Sequence, residues 1–201
     1  MKKKTLFYIG FFSVLLIGFY IVMVTLTDFE KVKLPVLATV QPFSFVRQDS
    51  VKVSQKEIGG KVVVAEYFFT TCKGICPKMN KNMKEVYDAF RDREGFMIIS
   101  HTVNPENDSI PVLRHYADSM GADPAKWWFV TGDKAALYKA ARESYLLDDP
   151  QNSSKNIEEQ FLHTQFFALV DKQGRVRGIY DGIKKEEVAQ LTKDIEELIK
   201  E

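Results

Sequence analysis

Only two cysteines occur in the chain, Cys72 and Cys76, and they stand four positions apart in Tyr67-Phe-Phe-Thr-Thr-Cys72-Lys-Gly-Ile-Cys76-Pro-Lys-Met-Asn80. A thiolate is both a nucleophile and a soft metal ligand, so a close pair points to redox or metal chemistry. A purely structural disulfide is the weaker reading, because a bridge closing so short a loop constrains the unfolded chain little. The preceding run Val62 to Phe69 is short, apolar and rich in Val and Phe, which predicts a buried strand. Pro77 suits the first turn of a helix, and Met79, Met83, Val86, Tyr87 and Phe90 then recur at helical spacing. Both thiols therefore fall where a strand hands over to a helix N-terminus, whose free N–H groups and dipole favour a thiolate. Lys73 adds a cation beside Cys72. If the first turn includes both cysteines, they share one helix face.

Two thiolates leave a metal ion under-coordinated, and the chain has three histidines to offer. His101 lies inside the apolar stretch 96–103 and reads as a packed, hydrogen-bonded core residue. His115 lies beside Arg114 in a helical segment whose inward residues are Leu113 and Tyr116, so it reads as solvated. His163 sits where a polar stretch, residues 148–160, meets a late strand expected to start near Thr164. Two thiolates and an imidazole suit copper: sulfur selects Cu(I), and the added nitrogen with an open position accommodates Cu(II). A structural zinc site calls for a fourth protein ligand, and none is evident.

The elements that position these residues follow from periodicity and turn signals. Met1-Lys-Lys-Lys precedes about twenty uncharged residues, Leu6 to Leu26, long enough to cross a bilayer as a helix. The lysines favour the cytoplasmic side, and no small-x-small cleavage site follows, so an uncleaved anchor over residues 1–27 is expected. That sends the C-terminal bulk to the outer, periplasmic face of the inner membrane, where disulfides can form. Residues 28–42, with Pro35 and Pro42, read as an extended, poorly packed stem, and residues 43–201 as one domain. Setting Lys2, Lys3 and Lys4 aside leaves 25 basic against 27 acidic side chains, which provides no basic field for nucleic acid.

Within the domain, Phe43 to Val53 alternates around Gln48-Asp49-Ser50 as an edge hairpin, and 58–61 is a turn. A helix over 77–92, a strand over 96–103 and a helix running from a Ser109 cap to Gly121 follow. Next come a strand at Trp127–Val130, a helix capped by Asp133, a hairpin around Lys172-Gln-Gly174 and a final helix over 184–201. Strands alternating with helices and closed by a hairpin give an α/β sheet with a parallel core and an antiparallel end.

Phe68-Phe-Thr-Thr-Cys72-Lys-Gly-Ile-Cys76-Pro77, Val103-Asn-Pro-Glu-Asn-Asp108, Leu162-His163-Thr164 with Phe167-Ala-Leu-Val-Asp171, and Gly178-Ile-Tyr-Asp-Gly182 resemble the Sco/SenC family. The resemblance covers about residues 40 to 200. It implies a thioredoxin-like fold, a mixed sheet flanked by helices, with copper bound by Cys72, Cys76 and His163. It also implies a role in assembling the dinuclear copper centre of cytochrome c oxidase. The partners implied are the copper-bearing oxidase subunit, a thioredoxin-like reductant and another copper carrier. Members of the family either deliver copper or reduce target cysteines, so the alternatives are a thiol–disulfide reductase acting through the Cys72/Cys76 pair and a copper or redox sensor. Two positions depart from the family pattern. Leu162 stands where an aspartate often precedes the histidine, and Asn104-Pro105 stands in place of Asp-Pro.

Overall fold

In a computed structural model the structure describes residues 3–26, 34–154 and 156–201. The chain divides into two compact units, Met1–Leu34 and Pro35–Glu201. The first holds helix α1, Lys3–Leu26, which contains a stretch, Lys4–Met23, with a mean hydropathy of 2.3. By length and composition this helix can cross a membrane. Its apolar side chains from Leu6 to Met23 are exposed.

The second unit is built on one eight-stranded sheet. Its elements in chain order are β1 (Ala38–Thr39), β2 (Ser44–Arg47), β3 (Lys52–Ser54), α2 (Gln55–Ile58), β4 (Val62–Phe68), α3 (Cys76–Phe90), β5 (Phe96–Thr102) and α4 (Ile110–Ser119). These are followed by β6 (Trp127–Thr131), α5 (Lys134–Lys139), a π-turn (Ala140–Ser144), β7 (Phe166–Val170), β8 (Arg175–Asp181) and α6 (Lys185–Lys200). The strand order is β1-β8-β7-β4-β5-β6-β2-β3. The centre, β4-β5-β6, is parallel, and every other pairing is antiparallel. The parallel core, antiparallel end and edge hairpin β2–β3 are those expected from the hydrophobic pattern.

β4 and β5 are buried along their whole length, so the sheet is covered on both faces. On one face Tyr87 packs on Trp127 and Phe90 on Phe96, both at 5.1 Å between ring centroids, with Met79 and Met83 fully buried beneath α3. Val63, Ala65, Tyr67, Met97 and Ile99 look to the other face, toward Leu137, Tyr138 and Ala141. α3, the helix that carries Cys76, is pinned at its middle: Asn82 Nδ2 donates to the Gly182 carbonyl at 2.7 Å. Gly182 is glycine for a reason of space, since a Cβ there would lie 2.5 Å from the Phe167 ring.

Several expectations are corrected. The stem 28–42 lies partly outside the described residues, but its C-terminal part is not a loose spacer. Ala38 and Thr39 pair with β8 and Val40 is buried, because these residues close the β8 edge of the sheet. Residues 55–58 form a short helix with a Ser54/Glu57 capping box. The stretch 148–160 contains 3₁₀ turns at Pro150–Ser154 and Ile157–Glu159. β7 begins at Phe166, after an extended run through His163 and Thr164.

Candidate metal and thiol site

The cysteine pair is not the helical i, i+4 pair that the spacing allows. Cys76 is the first residue of α3, with Pro77 beside it in the first turn, whereas Cys72 lies in the preceding turn, its N–H bonded to the Phe69 carbonyl at 3.2 Å. The Pro77 start signal fixes the helix origin too late to include Cys72. The outcome still joins thiol to helix terminus. α3 has no side-chain N-cap, and the N–H groups of Gly74, Ile75 and Cys76 hydrogen-bond to the Cys72 sulfur instead.

The two thiols are reduced in this structure and chemically unequal. Burial alone would raise the pKa of Cys72, but the Cys76 thiol and the three backbone N–H groups donate to its sulfur and together bring it below its ordinary value. Cys76 is 5% exposed. Burial first, then the hydrogen bond to Cys72 and the charge of Cys72 and Glu66, push it up to about 12, despite a hydrogen bond from the Phe69 backbone. The helix terminus thus activates only the outer sulfur. Lys73 is exposed.

A small cavity of about 20 Å³ brings Cys72, Cys76 and His163 onto one wall system, together with Tyr67, Phe69 and Leu162. His163 is exposed between the buried Leu162 and Thr164, with its ring 4.8 Å from that of Phe161. Phe161 in turn meets Phe69 edge-on at 5.1 Å, so an aromatic bridge joins the histidine segment to the strand that delivers the cysteines. Leu162, the apolar replacement, anchors the segment: its side chain is buried and its N–H donates to Tyr138 Oη at 3.3 Å. Among the described residues no three His, Cys, Asp or Glu side chains are grouped closely enough to hold a metal ion. The three expected residues line one cavity without closing round a common point.

The other two histidines stand apart. His101 is fully buried, stacked 4.7 Å from Tyr67, with Nδ1 3.2 Å from the Glu66 carbonyl; burial lowers its pKa to about 3, and Nε2 has no partner among the described residues. His115 is exposed on α4.

Two positioning networks escaped the reading of single residues. Asp108, fully buried, accepts from Thr70 Oγ1 and Thr102 Oγ1, each at 2.5 Å, and from the Thr70 N–H, which braces the turn two residues before Cys72. Arg142, in the π-turn, donates to Asp148 Oδ2 at 2.7 Å and to Gln160, holding together the two ends of the segment that leads to His163. The motif ending in Asp108 was visible in sequence, but its partner was not. Arg142 gave no signal, because an arginine among alternating charges reads as surface.

With this geometry in view, the comparisons with known proteins are decisive. The SCO1/SenC family model matches residues 33–200. This chain belongs to the SCO1/SenC family. A Bacillus subtilis SCO1 protein homolog is 29% identical over 170 residues, spanning 83% of this chain and 86% of the homolog. Among solved structures, BsSco is 28% identical with a TM-score of 0.70, covering 84% of this chain and 98% of that one. It is described, with a disulfide switch, as a member of the Sco family of cytochrome c oxidase assembly proteins. Bradyrhizobium japonicum ScoI, solved with copper bound, shares the fold at 24% identity and a TM-score of 0.62, over 80% of this chain and 99% of ScoI. The mixed sheet with its flanking helices is the thioredoxin-like fold of these Sco proteins.

Proposed function

We propose that this Sco protein is a membrane-anchored copper chaperone that captures copper on Cys72, Cys76 and His163 and passes it to the dinuclear copper site of cytochrome c oxidase. The observation that carries the reading is the meeting of both thiols and the His163 segment at one cavity, with the activated sulfur outermost. Copper is the cargo. It would meet Cys72 first, and Cys76 would give up its proton as the second Cu–S bond forms, so uptake releases protons. A movement of the His163 segment would bring its exposed imidazole into a Cys2His set, and soft sulfur with one nitrogen matches copper. Transfer proceeds by exchange of these ligands for the acceptor's cysteines. α1 holds the domain at the outer face of the inner membrane, with Lys2 to Lys4 inside. The acceptor is the copper-bearing oxidase subunit, with a thioredoxin-like reductant and another copper carrier upstream.

Anaerobic titration of the full chain in neutral detergent tests the reading. It expects one tightly held copper per chain and a sulfur-to-Cu(II) charge-transfer absorption that is altered or lost in His163→Ala. No tight binding by the reduced chain would end it.

One observation favours a second reading. An accessible, activated Cys72 in front of a buried, protonated Cys76 is the division of labour of a dithiol reductase, in which one sulfur attacks and the other resolves. On that reading His163→Ala keeps disulfide reduction intact, whereas Cys72→Ser and Cys76→Ser each abolish it.

A further inference from the structure

The cysteine motif opens on two sides, and the copper reading uses only the one toward His163. On the other side an open groove of about 500 Å³ runs from Cys72 between α3 and α4, floored by Asn80 and Tyr116 and ending at Met120. Its floor is fixed: Asn80 is buried and its Nδ2 donates to Tyr116 Oη at 2.5 Å.

On its cysteine and α3 side this groove carries charge of one sign, and on its α4 side Asp118 is exposed beside Ser119. From Tyr67 to Lys84 the chain carries Lys73, Lys78, Lys81 and Lys84 and no aspartate or glutamate. Lys84 is paired with Asp88 at 2.5 Å. Among the described residues Lys73, Lys78 and Lys81 make no ion pair, and all three are exposed. Lys81 lines the groove with Lys84, and Lys73 adjoins Cys72. The segment before His163 has the opposite sign, with Asp149, Glu158 and Glu159 exposed. Without the four lysines and the three at the N-terminus, the chain has 21 basic against 27 acidic side chains. A chain that is acidic elsewhere thus concentrates unpaired cations at its reactive sulfur.

We infer that the α3–α4 groove and its lysine rim are the docking surface for a protein partner that presents its cysteines among carboxylates. A basic rim attracts an acidic partner and raises the encounter rate by long-range steering. The carboxylates before His163 repel the same partner, so it seats over the groove and leaves the histidine side open. The inference rests on the reading of Cys72 and Cys76 as thiols that a partner must reach, whether that partner takes copper or electrons.

Two peptides with the same Cys-x3-Cys disulfide, one flanked by glutamates and one by lysines, test it against the reduced full chain in neutral detergent. In the reaction Cys72 thiolate attacks one peptide sulfur, the peptide S–S bond breaks, and a mixed disulfide forms as one peptide thiolate leaves. Cys76 then attacks the Cys72 sulfur, its proton passing to a departing peptide thiolate. The Cys72/Cys76 pair ends oxidised by two electrons and the peptide reduced by two. At low salt the acidic peptide is expected to react about tenfold faster than the basic one or more, with the difference vanishing near 0.5 M salt. The Lys78→Glu/Lys81→Glu variant is expected to reverse the preference, and Lys81→Gln to weaken it. Both should reduce the uncharged 2-hydroxyethyl disulfide at the wild-type rate. Equal rates for the two peptides, or a preference that survives charge reversal or high salt, overturn the docking surface. Copper titration of the same samples reports separately on the metal reading, which stands or falls without this result.

Discussion

Cys72 and Cys76 differ by four positions in sequence and by much more in chemistry. Their spacing pointed to a pair of thiols acting together, but not to which sulfur is favoured as thiolate, since that depends on which one receives the N–H groups leading into α3. The Cys72 sulfur takes those of Gly74, Ile75 and Cys76, and Cys76 is buried behind it. Under anaerobic conditions iodoacetamide should therefore alkylate Cys72 at least about tenfold faster than Cys76, with a half-maximal rate below the ordinary cysteine pH range. Equal labelling would remove the asymmetry. Two other buried groups of the domain have opposite pH signatures. Burial raises Glu66 from 4.5 to about 7; among the described residues only Ser100 Oγ donates to its carboxyl, and Oε2 lacks a partner. Its contribution to stability is complete below pH 4.5 and is lost as pH rises through 7. His101, lowered from 6.5 to about 3, contributes stability that is present above pH 6.5 and lost as pH falls toward 3. Glu66→Gln deletes the first effect alone. Relative to wild type it should gain about 3 kcal/mol between pH 4.5 and 7.5 in urea unfolding, and a parallel pH profile would refute the assignment.

At the scale of elements, what was legible depended on how locally each was encoded. Val62 to Phe68 is an apolar run between turn signals, and α3 carries both a proline start and a 3.6-residue pattern, so each could be placed from sequence. Helix α2 spans only four residues with a single buried side chain, so no periodicity could reveal it, although its Ser54/Glu57 capping box was present. β1 is two residues that become a strand only by pairing with β8, a contact between positions more than a hundred residues apart. The π-turn at Ala140–Ser144 has no sequence signature, yet it places Arg142 across both ends of the histidine-bearing segment. Arg142 and Asp148 side chains are only 11% and 7% exposed, so losing one leaves the other poorly solvated. Arg142→Ala should cost about 1–3 kcal/mol. It should also speed amide exchange specifically over 148–164, and Arg142→Lys should recover part of both. Unchanged exchange in that segment would show that the arginine does not hold it.

Seen whole, the domain gathers its site from the turn after β4, the start of α3 that follows it directly, and the distant run before β7. Asp108 braces the first and Arg142 the last, while Asn82 and Gly182 fix the helix between them. The fold class followed from alternating strands and helices, and the order of cysteines and histidine carried the family resemblance. The convergence of His163 on the cysteines could not be read from spacing, because it depends on β7 lying next to β4 in the sheet. The most direct test of the whole account is copper-edge X-ray absorption of the full chain loaded with one equivalent of Cu(II), beside His163→Ala and Cys72→Ser. The account predicts two sulfur scatterers and one imidazole in the wild type, with the imidazole lost in the first variant and one sulfur in the second. A copper shell of nitrogen and oxygen alone, unchanged in either variant, would contradict it and leave Cys72 and Cys76 as a redox pair.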